Sequence, residues 1–196
     1  MTIRREITDE DVRAAMMDIE GYLDISLGDF RELYRHAVQY AEKRLLSSTP
    51  VGDIMTAKVV MVTADTSFEE VIAAMASKPI SGMPVVDAHY RVIGVVSEKD
   101  IFAKLDDSRE PSFWRILGGC LQCNRCLLKS LRGVRAADIM TAPPLTVKST
   151  DTARSALELL QETQVNRLPV VDADGRLCGI ITRSDLLQAT LVQAEV

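Results

Sequence analysis

Read for its apolar and polar positions, the chain divides into a helical beginning and a longer stretch in which one mixed pattern occurs twice. In the beginning, Val12, Met16 and Ile19 recur at helical spacing behind Thr8-Asp9-Glu10-Asp11, with Thr8 a candidate N-cap and acids in the first turn. Gly21 is the expected end of that helix. A second helix is expected over residues 29–46, burying Phe30, Leu33, Tyr34, Ala37, Val38 and Ala41, with a linker at 47–50. Residues 1–49 therefore read as a helical hairpin that packs on the remainder or on a partner.

From Val51 the period changes. A short apolar strand at 59–62 precedes a helix capped by Thr66, with Val71, Ile72 and Met75 at helical spacing. Strands at 83–86 and 92–96 follow, joined by a turn at 87–91, and a last helix starts near Glu98. The succession then returns. It has a strand at 145–147 and a helix at 152–163 with Ala156, Leu157, Leu159 and Leu160 as its stripe. Strands at 168–171 and 177–181 flank the turn Asp172-Ala173-Asp174-Gly175, and a helix starts at Arg183.

The residues themselves repeat. Asp53-Ile54-Met55-Thr56 returns as Asp138-Ile139-Met140-Thr141, and Pro84-Val85-Val86-Asp87 as Pro169-Val170-Val171-Asp172. Thr56 and Thr141, Pro84 and Pro169, Gly94 and Gly179, and Asp100 and Asp185 are each 85 positions apart, so residues 51–105 align with 136–190 without a gap. The expected fold is α/β (α+β), with two β-α-β-β-α repeats. One such unit leaves a sheet face under-covered. Two packed sheet against sheet in pseudo-twofold symmetry share one core and leave a cleft where their equivalent edges meet. Residues 106–135 form an insert, longer than compact folds usually need as a connection.

Composition narrows the function. The chain has 196 residues, 47% apolar and 26% charged, with a formal net charge of -5. An acidic chain with 5% aromatic residues suits neither the phosphate backbone nor a base-stacking platform, so no nucleic-acid partner is expected. No apolar run approaches the ~20 residues of a spanning helix, and the start lacks the apolar stretch of a signal peptide. The expected location is the cytoplasm, with reduced cysteines and no membrane contact in this chain. His36 and His89 have no evident nucleophile beside them, and no phosphate-binding loop or nucleophile elbow occurs, so no enzyme is expected.

The candidate chemistry lies in Gly94-Val95-Val96-Ser97-Glu98-Lys99-Asp100 and Gly179-Ile180-Ile181-Thr182-Arg183-Ser184-Asp185. Ser97 and Thr182 are placed as N-caps, with Asp100 and Asp185 at the third helical position, as in a capping box. The same atoms suit a ligand. A helix N-terminus offers N–H groups to an anion, a carboxylate can accept from two sugar hydroxyls, and glycine lets a ligand approach the strand. The copies differ in charge: Arg167 stands opposite Gly82, and Arg183 opposite Glu98. Phosphate contacts are accordingly expected at Arg167 and Arg183.

Cys120, Cys123 and Cys126, at C-x-x-C-x-x-C spacing in the insert, are candidates for metal binding, for redox chemistry or for simple packing. Cys178 aligns with the strand residue Ile93, which makes it a poor fourth ligand.

Asp-Ile-Met-Thr, a strand, Pro-Val-Val-Asp and Gly-x-x-Ser/Thr-x-x-Asp, in that order and duplicated over residues 51–105 and 136–190, resemble a pair of CBS domains. Residues 1–49 and the insert also resemble the cytosolic part of bacterial proteins that join an HPP-type membrane domain to such a pair. The first resemblance implies an adenosyl ligand in the cleft: AMP, ADP, ATP or S-adenosylmethionine, with no required cofactor. It implies that Asp100 and Asp185 hold ribose hydroxyls, with Ser97 and Thr182 beside ribose or phosphate. Ile80, Ser81, Gly82 and Pro84, with Val165, Asn166, Arg167 and Pro169, would line the walls. Thr56, Val60, Thr141 and Leu145 would contribute from the first-strand region. The expected protein is a homodimeric regulatory module acting on an unknown effector protein or domain. The alternatives are a ligand-free dimerisation scaffold and a cysteine-based redox or metal sensor.

Overall fold

In a computed structural model, residues 9–19, 24–78, 80–105, 118, 131 and 133–192 are described. Thr8, Gly21, Cys120, Cys123 and Cys126, with the expectations placed on them, lie outside these residues. The chain forms two units that divide after Ser48.

The first unit pairs α1 (Asp9–Asp18) with α2 (Leu27–Ser48). Arg31 bridges to Asp9 at 2.7 Å. The second helix begins earlier than its apolar pattern indicates because Ser26 Oγ accepts from the Asp29 N–H at 3.2 Å and donates to the Asp29 carboxylate at 2.6 Å. The expected buried face of this helix is not buried. Phe30 and Val38 are half-covered, Leu33, Tyr34, Ala37 and Ala41 are exposed, and α2 buries no residue. A periodic stripe marks a face able to pack, and within its own unit this one is not covered by the described residues.

The second unit holds both copies. Each has a three-stranded sheet: β1 (Val62–Thr63), β2 (Gly82–Val86) and β3 (Val92–Ser97) in the first, β4 (Val147–Lys148), β5 (Arg167–Val171) and β6 (Leu177–Thr182) in the second. In each sheet the first strand runs parallel to the central one and the last antiparallel, with a register shift at the same place, between Val85 and Val86 and between Val170 and Val171. The expected first strands shrink to two residues each, because 59–61 and 145–146 have no ladder partner.

The helices α4 (Phe68–Ser77), α5 (Glu98–Leu105), α7 (Ala153–Glu162) and α8 (Arg183–Val192) follow the expected order. The first of these is capped by Ser67, not Thr66. Ser67 Oγ accepts from the Glu70 N–H and the Glu70 carboxylate returns to the Ser67 N–H at 3.0 Å, while Thr66 Oγ1 accepts from the Thr63 N–H instead. Ser67-x-x-Glu70 is the capping-box spacing, so the signal stood one residue beyond the hydroxyl chosen from sequence.

Two short helices tie the copies together by exchange. Helix α3 (Val51–Ile54) precedes the first sheet yet packs on α7, α8, β4 and β6 of the second copy, and α6 (Ala136–Ile139) packs on α5, β1 and β3 of the first. Two matching sets of backbone bonds hold them. The N–H groups of Val51 and Gly52 donate to Asp151 and Ser149 carbonyls, both at 2.8 Å, and Ala153 N–H to Thr49 at 2.8 Å. The N–H groups of Ala136 and Ala137 donate to Thr66 at 2.8 Å and Ala64 at 3.0 Å, and Phe68 N–H to Val134 at 2.9 Å. Thr49 and Pro50, expected as linker, are thus paired backbone.

The core of the first copy follows the exchange. Phe68, Val71, Val85, Val96 and Ile101 are buried together with Ala136 and Ile139 of α6 and with Leu131 from the insert. All five residues of β2 are buried, as are four of the five in β5, with both faces of the central strands covered.

Candidate functional site

The line between the copies is drawn by the two Asp-Ile-Met-Thr segments leaving α3 and α6. Thr56 pairs in antiparallel fashion with Ile180 of β6, N–H to carbonyl in both directions at 2.9 and 3.0 Å, and Thr141 pairs with Val95 of β3 at 2.9 and 3.1 Å. Each threonine therefore stands beside the helix start that follows the other copy's last strand.

The methionines before these threonines explain the strand glycines. A Cβ on Gly94 would lie 2.9 Å from Met140 Cγ and 3.1 Å from Met140 Cβ, and one on Gly179 would lie 2.9 Å from Met55 Cγ. The space above each glycine is filled by the neighbouring copy's methionine, not left for a ligand as the sequence reading supposed.

The carboxylate half of the expected capping box is present in both copies, and its hydroxyl half in the second. Ser97 N–H donates to Asp100 Oδ2 at 2.8 Å and the Ser97 hydroxyl to the same oxygen. Thr182 N–H and hydroxyl each donate to Asp185 Oδ2 at 2.7 Å, and the Asp185 N–H reaches Thr182 Oγ1 at 3.4 Å. The remaining oxygens differ. Asp100 Oδ1 accepts from Thr141 Oγ1 of the other copy at 2.7 Å. Among the described residues, Asp185 Oδ1 and the Thr56 hydroxyl have no hydrogen-bond partner.

Arg167 opens β5, paired with Thr182, and reaches into the first copy. Its Nη1 donates to the Gly82 carbonyl and its Nη2 to the Ser81 hydroxyl. Ser81 in turn accepts the Glu98 N–H at 3.1 Å, which brings Ser81, Gly82, Ser97, Glu98 and Arg167 together. Burial pushes the Arg167 guanidinium below its ordinary value, and the Glu98 charge opposes this. No carboxylate among the described residues forms a salt bridge with it. Gly82 is required here, since a Cβ would sit 3.0 Å from Ser97 Cα and 3.1 Å from Arg167 Nη1.

The other expected residues fall in four groups. Ile80 and Ser81 border an open depression of about 500 Å³ with Met75, Ala76, Ser77, Lys78 and Glu98, which includes neither Asp100 nor Asp185. Pro84 and Pro169 are fully buried inside β2 and β5 and have no surface to offer a ligand. Val60 is half-buried, Leu145 is 42% exposed, Val165 is half-buried and Asn166 exposed. Arg183 is turned back onto its own copy, its Nη2 donating to the Leu160 carbonyl at 3.0 Å and the Val165 carbonyl at 3.5 Å. Thr141 binding to Asp100 is the feature sequence reasoning missed, and the 85-residue alignment gave no sign that one threonine of the pair would be bonded and the other not.

Cys178 in β6 is a free thiol that donates to the Val170 carbonyl at 3.3 Å, and burial, with the Asp172 charge, raises its pKa. No helix among the described residues is long and apolar enough to cross a membrane.

A family model for the CBS domain matches residues 51–107 and 136–191. The chloroplastic CBS domain-containing protein CBSX2 of Arabidopsis thaliana is 34% identical over 154 residues, which are 72% of this chain and 63% of that protein. This chain thus spans less than two thirds of that relative's length. The crystal structure of CBSX2 in complex with AMP superposes with a TM-score of 0.60 at 34% identity, covering 76% of this chain and 100% of that one. The CBS domain of a membrane protein from Sphaerobacter thermophilus superposes with a TM-score of 0.61 at 28% identity, covering 80% and 97%.

Proposed function

The chain belongs to the CBS-domain family, and from that premise we propose that it is a regulatory module that senses an adenine nucleotide in the cleft between its two copies. The observation that carries this reading is Arg167. It is a partly buried cation lodged between the copies, its side chain bonded among the described residues to a hydroxyl and a carbonyl, and desolvated enough to lower its pKa. A guanidinium so placed gains from an anion that can accept two of its N–H groups, as a phosphate does.

Asp185 Oδ1 offers a sugar diol an acceptor at the start of α8, beside the Thr56 hydroxyl. The AMP in the related CBSX2 structure supports a nucleoside monophosphate as the first ligand to test. Binding would alter how the copies are held across the Arg167 contact, and through them the surface met by an effector protein, a second copy of the chain, or both.

A thermal-shift panel with AMP, ADP, ATP and S-adenosylmethionine tests the reading. A ligand at 100 times its Kd adds about 2.7 kcal/mol, which for a unit of this size raises Tm by roughly 5–10 °C. Unchanged melting across the whole panel refutes it.

A further inference from the structure

Resting on that reading, we propose that the two halves of the cleft are unequal by construction: each chain takes one nucleotide, with its sugar at Asp185, while Asp100 is a structural tie between the copies. The duplication would by itself give two equivalent sites, and four differences between the copies break the equivalence in the same direction.

Both oxygens of Asp100 are already engaged. Its Oδ2 is held by Ser97 and its Oδ1 by Thr141 across the copy boundary. A sugar diol arriving there must share Oδ1 with Thr141 or displace it, whereas Asp185 Oδ1 has no partner among the described residues. The Thr56 hydroxyl, twin of Thr141, is likewise open.

The charges agree. The first residue of α5 is Glu98, and that of α8 is Arg183. A phosphate near the Asp100 helix start meets a second carboxylate, Glu98, while the matching position at the Asp185 helix start is an arginine. Only one arginine stands at the pseudo-twofold pair of positions 82 and 167, and it emerges from the strand residue paired with Thr182, the cap partner of Asp185. Its guanidinium reaches across to Ser81 and Gly82 at the border of the first half, so a phosphate it held would lie between the halves while the sugar sits at Asp185.

Calorimetry with AMP and the whole chain separates the outcomes. The expected result is a stoichiometry near one per chain. Asp185→Asn should weaken AMP by about tenfold or more, the range for losing a hydrogen bond to a charged group. Asp100→Asn should keep the stoichiometry and change Kd by less than about threefold, because its bonds are internal. The tie has a readout that needs no ligand: Thr141→Val should lower Tm by roughly 2–6 °C, and Thr56→Val should leave it within about 1 °C. Two AMP molecules per chain, or loss of binding in Asp100→Asn with Asp185→Asn unaffected, overturns the inference and leaves the nucleotide reading standing. Equal effects of Thr141→Val and Thr56→Val on Tm also overturn it. No AMP binding to the unaltered chain, with the other adenosyl ligands equally silent, removes the nucleotide reading and the inference with it.

Discussion

Replacing Gly94 with alanine is the sharpest test of how the copies interlock. The added methyl is small and the strand backbone accepts it, since Gly94 has no positive φ. On the unfolded side, Gly→Ala reduces chain entropy and stabilises by about 0.4–1 kcal/mol where the native site accommodates the methyl. Gly94 does not. The Cβ would lie 2.9 Å from Met140 Cγ and 3.1 Å from Met140 Cβ, and the latter is fixed to a backbone that bonds Val95 through its neighbour Thr141. Overpacking of this kind costs about 1–3 kcal/mol, so the net loss should be about 1–2 kcal/mol. That corresponds to a Tm fall of roughly 2–8 °C. The equivalent Gly179→Ala should cost less, because it meets Sδ, Cγ and Cε of Met55, the movable part of that side chain. Urea unfolding of Gly94→Ala, Met140→Ala and the double variant completes a cycle, in which the two changes should couple favourably by about 1 kcal/mol or more. If Gly94→Ala is neutral or stabilising alone, or if the cycle is additive, the methionine does not explain the glycine.

Two further predictions follow from the turns and caps. Tyr90 holds φ 62° where its twin Gly175 has φ 78°, so Tyr90→Gly should be neutral to stabilising by up to about 1 kcal/mol in urea unfolding, against the usual cost of glycine. The Asp87 carboxylate, held below its ordinary 3.8 by the Arg91 N–H and the His89 N–H, and Glu70, held below 4.5 by the Ser67 hydroxyl and N–H, both bind protons more readily when unfolded. Their contribution is complete above the unfolded values and is lost as pH falls through the lowered folded ones. Stability measured from pH 5 down to pH 3 should therefore decline less steeply in Asp87→Asn and Glu70→Gln than in the unaltered chain.

The repeat made most of the second unit legible. Strands, helices and caps in residues 51–105 and 136–190 alternate with short periods and carry their stop signals locally, so Asp87 and Asp172 organise matching turns through Oδ1 bonds at 2.8–2.9 Å. What escaped was non-local. The exchange of α3 and α6 leaves no local mark, because a helix of four residues reads the same whichever copy it packs on. The glycine role was misread for the same reason: Gly94 and Met140 are far apart in the chain, and a small residue in a strand fits a ligand and a foreign side chain equally well. Of the candidate site, the carboxylates and their caps were readable from spacing. The burial of Pro84 and Pro169, the inward turn of Arg183 and the capture of Asp100 by Thr141 were not, since each depends on how one copy meets the other.

The exchanged helices mean that the stretch of sequence called a repeat is not the object that folds. A polypeptide ending at Leu105 would carry α3 with nothing to lay it on and a first core lacking Ala136, Ile139 and Leu131. Two such fragments could make good both deficits only by trading arms, one molecule's α3 lying on the other's sheet. Severing the chain between the copies while keeping each half intact is a gentler operation, because the bonds described between the halves run through space rather than along the backbone.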